Sequence, residues 1–425
     1  MKVDPAAALV GHAVVPGDKS VSHRGVLLGA IGEGETRVLG FGRSADTQST
    51  IDAVRTLGVQ VDDVADDELV VHGVGLRGLQ PGTVAAGNAG TLLRLLTGIV
   101  AGQEGRFELT GDESLTLRPM GRVAEPLSRM GARIETTDGH APVIVEGTCD
   151  LHGIDYTLPV ASAQVKSAIL LAGLNAEGPT TVVEPKPTRD HTELMLEAAG
   201  VTVRRRPGSV TIEPPSALRL GEVLVPGDFS SAAPLIVAAA LLPGSELTIH
   251  DVNVNPRRTG LLDVLERMGA HITVFNRRRA GGELVADLEI RSVPLTAADV
   301  GADEVPAMVD ELPLLALVAA HARGTTVVRG AEELRVKESD RIAAVADALH
   351  ALGARIKPRD DGWEVTGVPA RLRGGRMDAV GDHRIAMLGA VAGLASREPV
   401  EIGGAEAVSV SFPGFFDLLE SVARR

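Results

Sequence analysis

Six times along the chain a short polar segment opens into an apolar, Ala-rich run, closes at a Gly-containing turn and passes into a short β-branched stretch. The copies start at Gly17, Gly87, Ser162, Gly227, Asp310 and Gly381, at separations of 70, 75, 65, 83 and 71 residues. Apolar runs of that length without alternation predict buried helices, and the β-branched stretches after them predict strands. Most copies continue into a second, amphipathic segment: IDAVRTLGVQV, VAEPLSRMGARIE, LMLEAAGVTV, LLDVLERMGAHITV and VADALHALGARIK. Each ends at a Gly, which stops a helix cheaply because it accepts the left-handed conformation, and a strand-like run follows. The period therefore fits one βαβ-type unit plus an extra helix.

Six units make two sets of three. The seam falls at VLVPGDFSS, Val223 to Ser231, which repeats AVVPGDKSVS, Ala13 to Ser22, as though the chain entered the same motif twice. The expected division is a first domain over 18–225 and a second made of 1–17 and 226–425, joined by two crossovers at Pro-Gly hinges. A chain of 425 residues with 44% hydrophobic content and mean hydropathy +0.14 can bury two cores. Aromatic residues are only 2% of the chain, so those cores are expected to be aliphatic, and the composition argues against stacking platforms for nucleobases.

A formal net charge of −14 disfavours nonspecific binding to nucleic acid or acidic membranes. Any site for anions must then focus positive charge locally. A single cysteine, Cys149, excludes an internal disulfide and a multi-cysteine metal site, and points to a reducing compartment. No run approaches the ~20 apolar residues of a membrane-spanning helix, and MKVDPAAALVG lacks a continuous apolar leader core, so the expectation is a soluble, cytoplasmic protein.

Local positive charge sits at predicted helix starts. PGDKSVSHR places Lys19, Ser20 and Arg24 there; GNAGTLLR, RVKESDR and GDHR do the same around Gly90, Arg341 and Arg384, with SLTLRPMGR around Arg118 and SAQVKSA around Gln164. Unpaired N–H groups and the positive end of the helix dipole favour anions at such places. Plainer readings stand beside this one: Ser162 and Asp310 as helix caps, and Glu338 as an i,i+3 partner of Arg341. The triplets Arg204 to Arg206 and Arg277 to Arg279 read as solvated hairpins. The copy at Gly227 carries no basic residue and reads as packing.

Taken together, these motifs, from Pro16 to Pro413, resemble the 5-enolpyruvylshikimate-3-phosphate synthases of the enolpyruvyl transferase family. The resemblance implies an α/β fold of two similar globular domains, each of three βαβαββ repeats around buried parallel helices (an inside-out α/β barrel), closing over substrates in a cleft. It implies transfer of the carboxyvinyl group of phosphoenolpyruvate to the 5-hydroxyl of shikimate 3-phosphate, with loss of phosphate through a tetrahedral intermediate, in aromatic amino acid biosynthesis. Shikimate 3-phosphate would be held by Lys19, Ser20, Arg24, Ser162, Ala163, Gln164, Arg189, Asp310 and Lys337. Phosphoenolpyruvate would meet Lys19, Asn88, Gly90, Arg118, Gln164, Arg341 and Arg384. Lys19, Asp310, Glu338 and His383 are the implied acid–base residues, with no metal, no cofactor, no nucleic-acid or membrane partner, and a monomer as the default.

The chain also departs from the family pattern. Val410 stands where many members carry a lysine, Ala163 where a second serine is common, Leu95 where a proline is frequent, and Glu333 where an asparagine occurs. The resemblance further implies that glyphosate competes for the phosphoenolpyruvate site and that Gly90 governs sensitivity to it. The sister enzyme that uses UDP-N-acetylglucosamine shares the donor, but its mobile-loop cysteine has no match here, since Cys149 lies in VEGTCDLHG with no neighbouring base. A non-catalytic anion-binding protein of the same fold should have lost acid–base residues first, and Lys19, Asp310 and Glu338 are present.

Overall fold

A computed structural model describes residues 1–425. The chain forms two compact units: one of Gly17–Pro226 with Arg279–Glu283, the other of Met1–Pro16, Gly227–Arg278 and Leu284–Arg425. Arg279–Glu283 thus group with the Gly17–Pro226 unit, apart from the residues on either side. Each unit has its own aliphatic core, and no helix is long and apolar enough to cross a membrane.

Six sheets correspond to the six repeats, and the helices lie beneath them. In the Gly17–Pro226 unit the buried helices are Lys19–Ala30, Gly90–Ala101 and Ala163–Gly173; in the other they are Phe229–Leu241, Leu312–His321 and His383–Leu394. Beyond its opening turns each is apolar on all sides, which is why it is buried on every side rather than along one stripe. Small residues permit the packing: a Cβ on Gly98 would stand 2.2 Å from the carbonyl oxygen of Ala168, so Gly90–Ala101 and Ala163–Gly173 touch backbone to backbone. The second helix of each repeat, such as Gly260–Arg267 or Arg341–Ala351, is amphipathic and only partly buried.

A typical sheet follows the order first strand, second, fourth, third. Gly82–Ala85 runs parallel to Gly105–Thr110, which pairs antiparallel with His140–Gly147 and through it with Arg133–Thr137. The first repeat of each unit takes its opening strand from far away in sequence. Glu222–Leu224 pairs in parallel with Glu33–Leu39 in one unit, and Ala8–Val14 pairs in parallel with Glu246–Asn253 in the other. The two Pro-Gly segments are therefore the points at which strands are exchanged between repeats.

Candidate functional site

In the Gly17–Pro226 unit, hydrogen bonds tie the first turns of the three buried helices to one another. Gln164 Nε2 donates to Thr91 Oγ1 at 2.9 Å and Gln164 Oε1 accepts from Arg94 Nη1 at 2.7 Å, while Arg24 Nη2 donates to Ser167 Oγ at 3.0 Å. Three helix N-termini thus open together, and their dipoles favour an anion there.

Asp18 caps the first of these helices, its Oδ1 accepting from the Val21 amide at 3.0 Å, which leaves Lys19 and Ser20 in the opening turn. Lys19 Nζ lies 2.7 Å from Asp46 Oδ2 and remains partly exposed. Arg24 is only 4% exposed. Its Nε donates to Thr192 Oγ1 at 2.7 Å and its Nη1 to the Ser20 carbonyl at 2.9 Å, so every partner is neutral. Burial draws its proton affinity down to about 10, against the pull of Glu193 and Asp18, and the charge of Arg189 adds to the fall. His23, one residue before, is held neutral: burial and then the charges of Lys19 and Arg24 push it well below its usual value.

Ser162 caps Ala163–Gly173, accepting from the Val165 amide at 3.4 Å, so its hydroxyl serves the helix as expected of a cap. Gly90 opens Gly90–Ala101 without a side-chain cap. Arg118 Nη2 donates to Asn88 Oδ1 at 2.7 Å, and Asn88 Nδ2 donates to Asp112 Oδ2 at 2.9 Å, so Asn88 orients the arginine. Arg118 follows the short helix Glu113–Thr116 and is buried despite its charge.

The other unit repeats the arrangement. Arg384, in the first turn of His383–Leu394, donates from Nη1 to the Ser230 carbonyl in the first turn of Phe229–Leu241 at 3.1 Å, and Ser230 Oγ donates to Glu311, the N-cap of Leu312–His321. Arg341 is 1% exposed and embraced by carboxylates: Asp382 at 2.8 Å, Glu338 at 2.7 Å and Asp310 at 3.3 Å. Burial would lower its proton affinity, but Asp382, Glu338 and Asp310 outweigh that and raise it. Asp382 is held below the usual carboxylate range, its burial being overcome chiefly by Arg341. It also caps His383–Leu394, accepting from the Arg384 amide at 2.8 Å, and lies 3.9 Å from His383 Nδ1.

Arg384 differs from Arg341 in having no carboxylate partner, and its buried Nε has no hydrogen-bond partner at all. Lys337 ends the short helix Glu332–Val336 beside Glu338, and Arg189 lies just before His191–Ala198. The expected residues thus fall into two groups. Lys19, Ser20, Arg24, Asn88, Gly90, Arg118, Ser162, Ala163, Gln164 and Arg189 lie in one unit, and Asp310, Lys337, Glu338, Arg341, His383 and Arg384 in the other.

Asp310 is not the helix cap that the sequence suggested: Glu311 occupies that position, and Asp310 turns to Arg341. Leu95 is fully buried in the core. The sequence reading omitted Asp46, Ser167, Thr192 and Asp382, which hold the cations in place. Asp382 lies inside the GDHR motif and was accessible as a cap residue ahead of an apolar run. The others carry no signal beyond being polar residues near a helix start.

The family profile of EPSP synthase (3-phosphoshikimate 1-carboxyvinyltransferase) matches residues 3–419. A 3-phosphoshikimate 1-carboxyvinyltransferase of Halorhodospira halophila is 52% identical over 421 residues, covering 98% of this chain and 95% of that protein. One from Alkalilimnicola ehrlichii is 51% identical, covering 98% and 94%. The solved EPSP synthase of Acinetobacter baumannii superposes with a TM-score of 0.89 at 44% identity, covering 99% of this chain and 98% of that one.

Proposed function

The chain belongs to the EPSP synthase family, and we propose that it transfers the carboxyvinyl group of phosphoenolpyruvate to the 5-hydroxyl of shikimate 3-phosphate in the cytoplasm, releasing phosphate. The observation that carries this reading is a pair of buried guanidinium groups whose hydrogen-bond partners are all neutral, Arg24 and Arg384. A buried cation bonded only to neutral acceptors is costly unless an anion completes it, so both support binding of anionic substrates. Arginine suits that task because its planar fork pairs bidentately with carboxylate and phosphate and keeps its proton.

The donor would be held by Arg118, Arg341 and Arg384 with Lys19, Gln164 and the Asn88–Gly90 turn, and the acceptor by Ser20, Arg24, Ser162, Ala163, Gln164, Arg189 and Lys337. In the addition step Asp310 takes the proton of the 5-hydroxyl as its oxygen bonds to C2 of phosphoenolpyruvate, and C3 gains a proton from Lys19 or Glu338. In the elimination step the C3 methyl group gives a proton back to the group that supplied it, the double bond reforms, and phosphate leaves with the proton that Asp310 had accepted. Asp46 on Lys19, and Arg341 on Glu338, hold the two proton-transfer groups in position. His383 lies against Asp382 and orients the Arg341 cluster.

The test is phosphate release measured with both substrates in the presence of a chelator. Release that needs both, and that UDP-N-acetylglucosamine cannot support in place of shikimate 3-phosphate, is the expected result. Release from phosphoenolpyruvate alone, or no release with the pair, overturns the reading.

A further inference from the structure

The Phe229–Leu241 helix opens a repeat whose polar segment, GDFSS, carries no cation, yet it supplies the acceptor for Arg384. In an α-helix the carbonyl of residue 230 accepts the amide of residue 234. Residue 234 is proline, which has no N–H and whose ring pushes against the carbonyl four residues earlier. The Ser230 carbonyl is therefore without its helical donor and displaced from the helix axis. It is buried, so it needs another donor. Arg384 Nη1, at 3.1 Å, is that donor.

Ser230 cannot turn away from this contact. Its amide donates to the capping carboxylate of Asp228 at 3.2 Å, its hydroxyl donates to Glu311, and Arg258 Nη2 donates to the same hydroxyl at 3.0 Å while pairing with Asp228. All these groups are buried. The result is a guanidinium aimed by a neutral carbonyl. Had a carboxylate done the aiming, it would have cancelled the charge that an anionic ligand needs.

We infer that Pro234 is a positioning residue for the donor substrate: by withholding one amide from the helix it reserves the Ser230 carbonyl to orient Arg384. The inference rests on the reading that Arg384 binds phosphoenolpyruvate. Restoring the amide should let the carbonyl close its helical bond and release the arginine, and proline is unfavourable inside a helix, so the protein should lose none of its stability.

The experiment compares Pro234→Ala with Arg384→Gln in the full chain by steady-state kinetics and thermal melts. For Pro234→Ala the expected result is a Michaelis constant for phosphoenolpyruvate raised about 3- to 10-fold, the range set by one hydrogen bond to a charged group. The constant for shikimate 3-phosphate, kcat at saturation and the melting temperature should be held or, for the last, raised. Adding Pro234→Ala to Arg384→Gln should change nothing further. If Arg384→Gln raises the phosphoenolpyruvate constant and Pro234→Ala does not, the inference about Pro234 is overturned while the reading of Arg384 stands. If Arg384→Gln leaves that constant unchanged, the reading itself fails. A Pro234→Ala protein that loses stability and both substrate affinities together would make Pro234 a packing residue only.

Discussion

Replacing Gly90 by alanine is the sharpest probe of the donor site, because the structure fixes what the added methyl group meets. Its Cβ would stand 2.9 Å from Arg94 Nη1, 3.2 Å from Arg118 Nη1 and 3.5 Å from Leu115 Cδ1. The first two are the far ends of flexible side chains, so each guanidinium must yield by a few tenths of an ångström, while the leucine is at ordinary contact. Both arginines are tethered, Arg94 to Gln164 and Arg118 to Asn88 at 2.7 Å each, so the displacement passes into the groups that would receive phosphoenolpyruvate. A 1 Å misplacement costs on the order of 10²-fold in a positioned reaction, so a shift of about 0.3 Å should raise the Michaelis constant for phosphoenolpyruvate by a few-fold. Glyphosate, the longer molecule, would meet the methyl group directly if it occupies the phosphoenolpyruvate site as the family resemblance implies. Overpacking of about 1–3 kcal/mol corresponds to roughly a 5- to 150-fold rise in its inhibition constant. Stability should not suffer, since alanine is the better helix former by up to ~1 kcal/mol. The assay is inhibition of phosphate release by glyphosate across a range of phosphoenolpyruvate concentrations, with a melting curve as control. Equal shifts in the two constants would refute the claim that this position discriminates between them.

Lys166 is 1% exposed and pairs with Glu193 at 2.7 Å and Glu184 at 3.0 Å; Lys166→Met strands two buried carboxylates and should cost about 3–5 kcal/mol in urea unfolding. Adding Glu193→Gln should recover part of that, and a loss below about 1 kcal/mol would show that the pair is solvated. His23 is depressed well below 6.5 by burial, so the unfolded chain takes up the proton first. Its contribution is intact above about pH 6.5 and falls as pH drops, by at most about 1.4 kcal/mol per pH unit, with His321 acting in the same sense. His23→Gln should flatten the fall in melting temperature between about pH 6.5 and 5, and an unaltered slope would exclude His23 as its source. Lys19→Met should lower kcat on the order of 10²-fold or more if Lys19 carries the proton to C3. Asp310→Ala should lower kcat while leaving the phosphoenolpyruvate constant nearly unchanged, and a near-native kcat would leave Asp310 as a partner of Arg341 alone.

The features legible in the sequence were those written in local periodicity. All six buried helices lie on runs too uniformly apolar for a solvated face, and Gly200, Gly269 and Gly353 end amphipathic helices in the left-handed conformation expected of them. The cations at helix starts were legible for the same reason, since Lys19 and Arg341 directly follow a capping aspartate and Arg384 follows one at the second position. What escaped was decided by partners distant in sequence. Nothing near Arg24 marks Thr192 as its acceptor, 168 positions away, and nothing near His191 marks Glu283 as its partner. Asp310 looked like a cap because it precedes an apolar run, but the helix starts one residue later, with Glu311 at the N-cap position, and Asp310 pairs with Arg341 instead. The Gly227 repeat read as packing because it lacks cations, whereas its contribution is a main-chain carbonyl that composition does not record.

The exchange of opening strands dictates an order of events during translation. Ala8–Val14 leaves the ribosome long before its neighbour Glu246–Asn253; Leu9, for instance, bonds to Ser245, 236 positions later. At about 5–20 residues per second the nascent strand waits on the order of 10–50 s with both edges unpaired. The Gly17–Pro226 unit also stays open at one edge until Glu222–Leu224 has been made. Splitting the gene at the seam would leave Ala8–Val14 on the first half and deprive the second half of that strand, so the second half could be completed only by meeting the first as a complex.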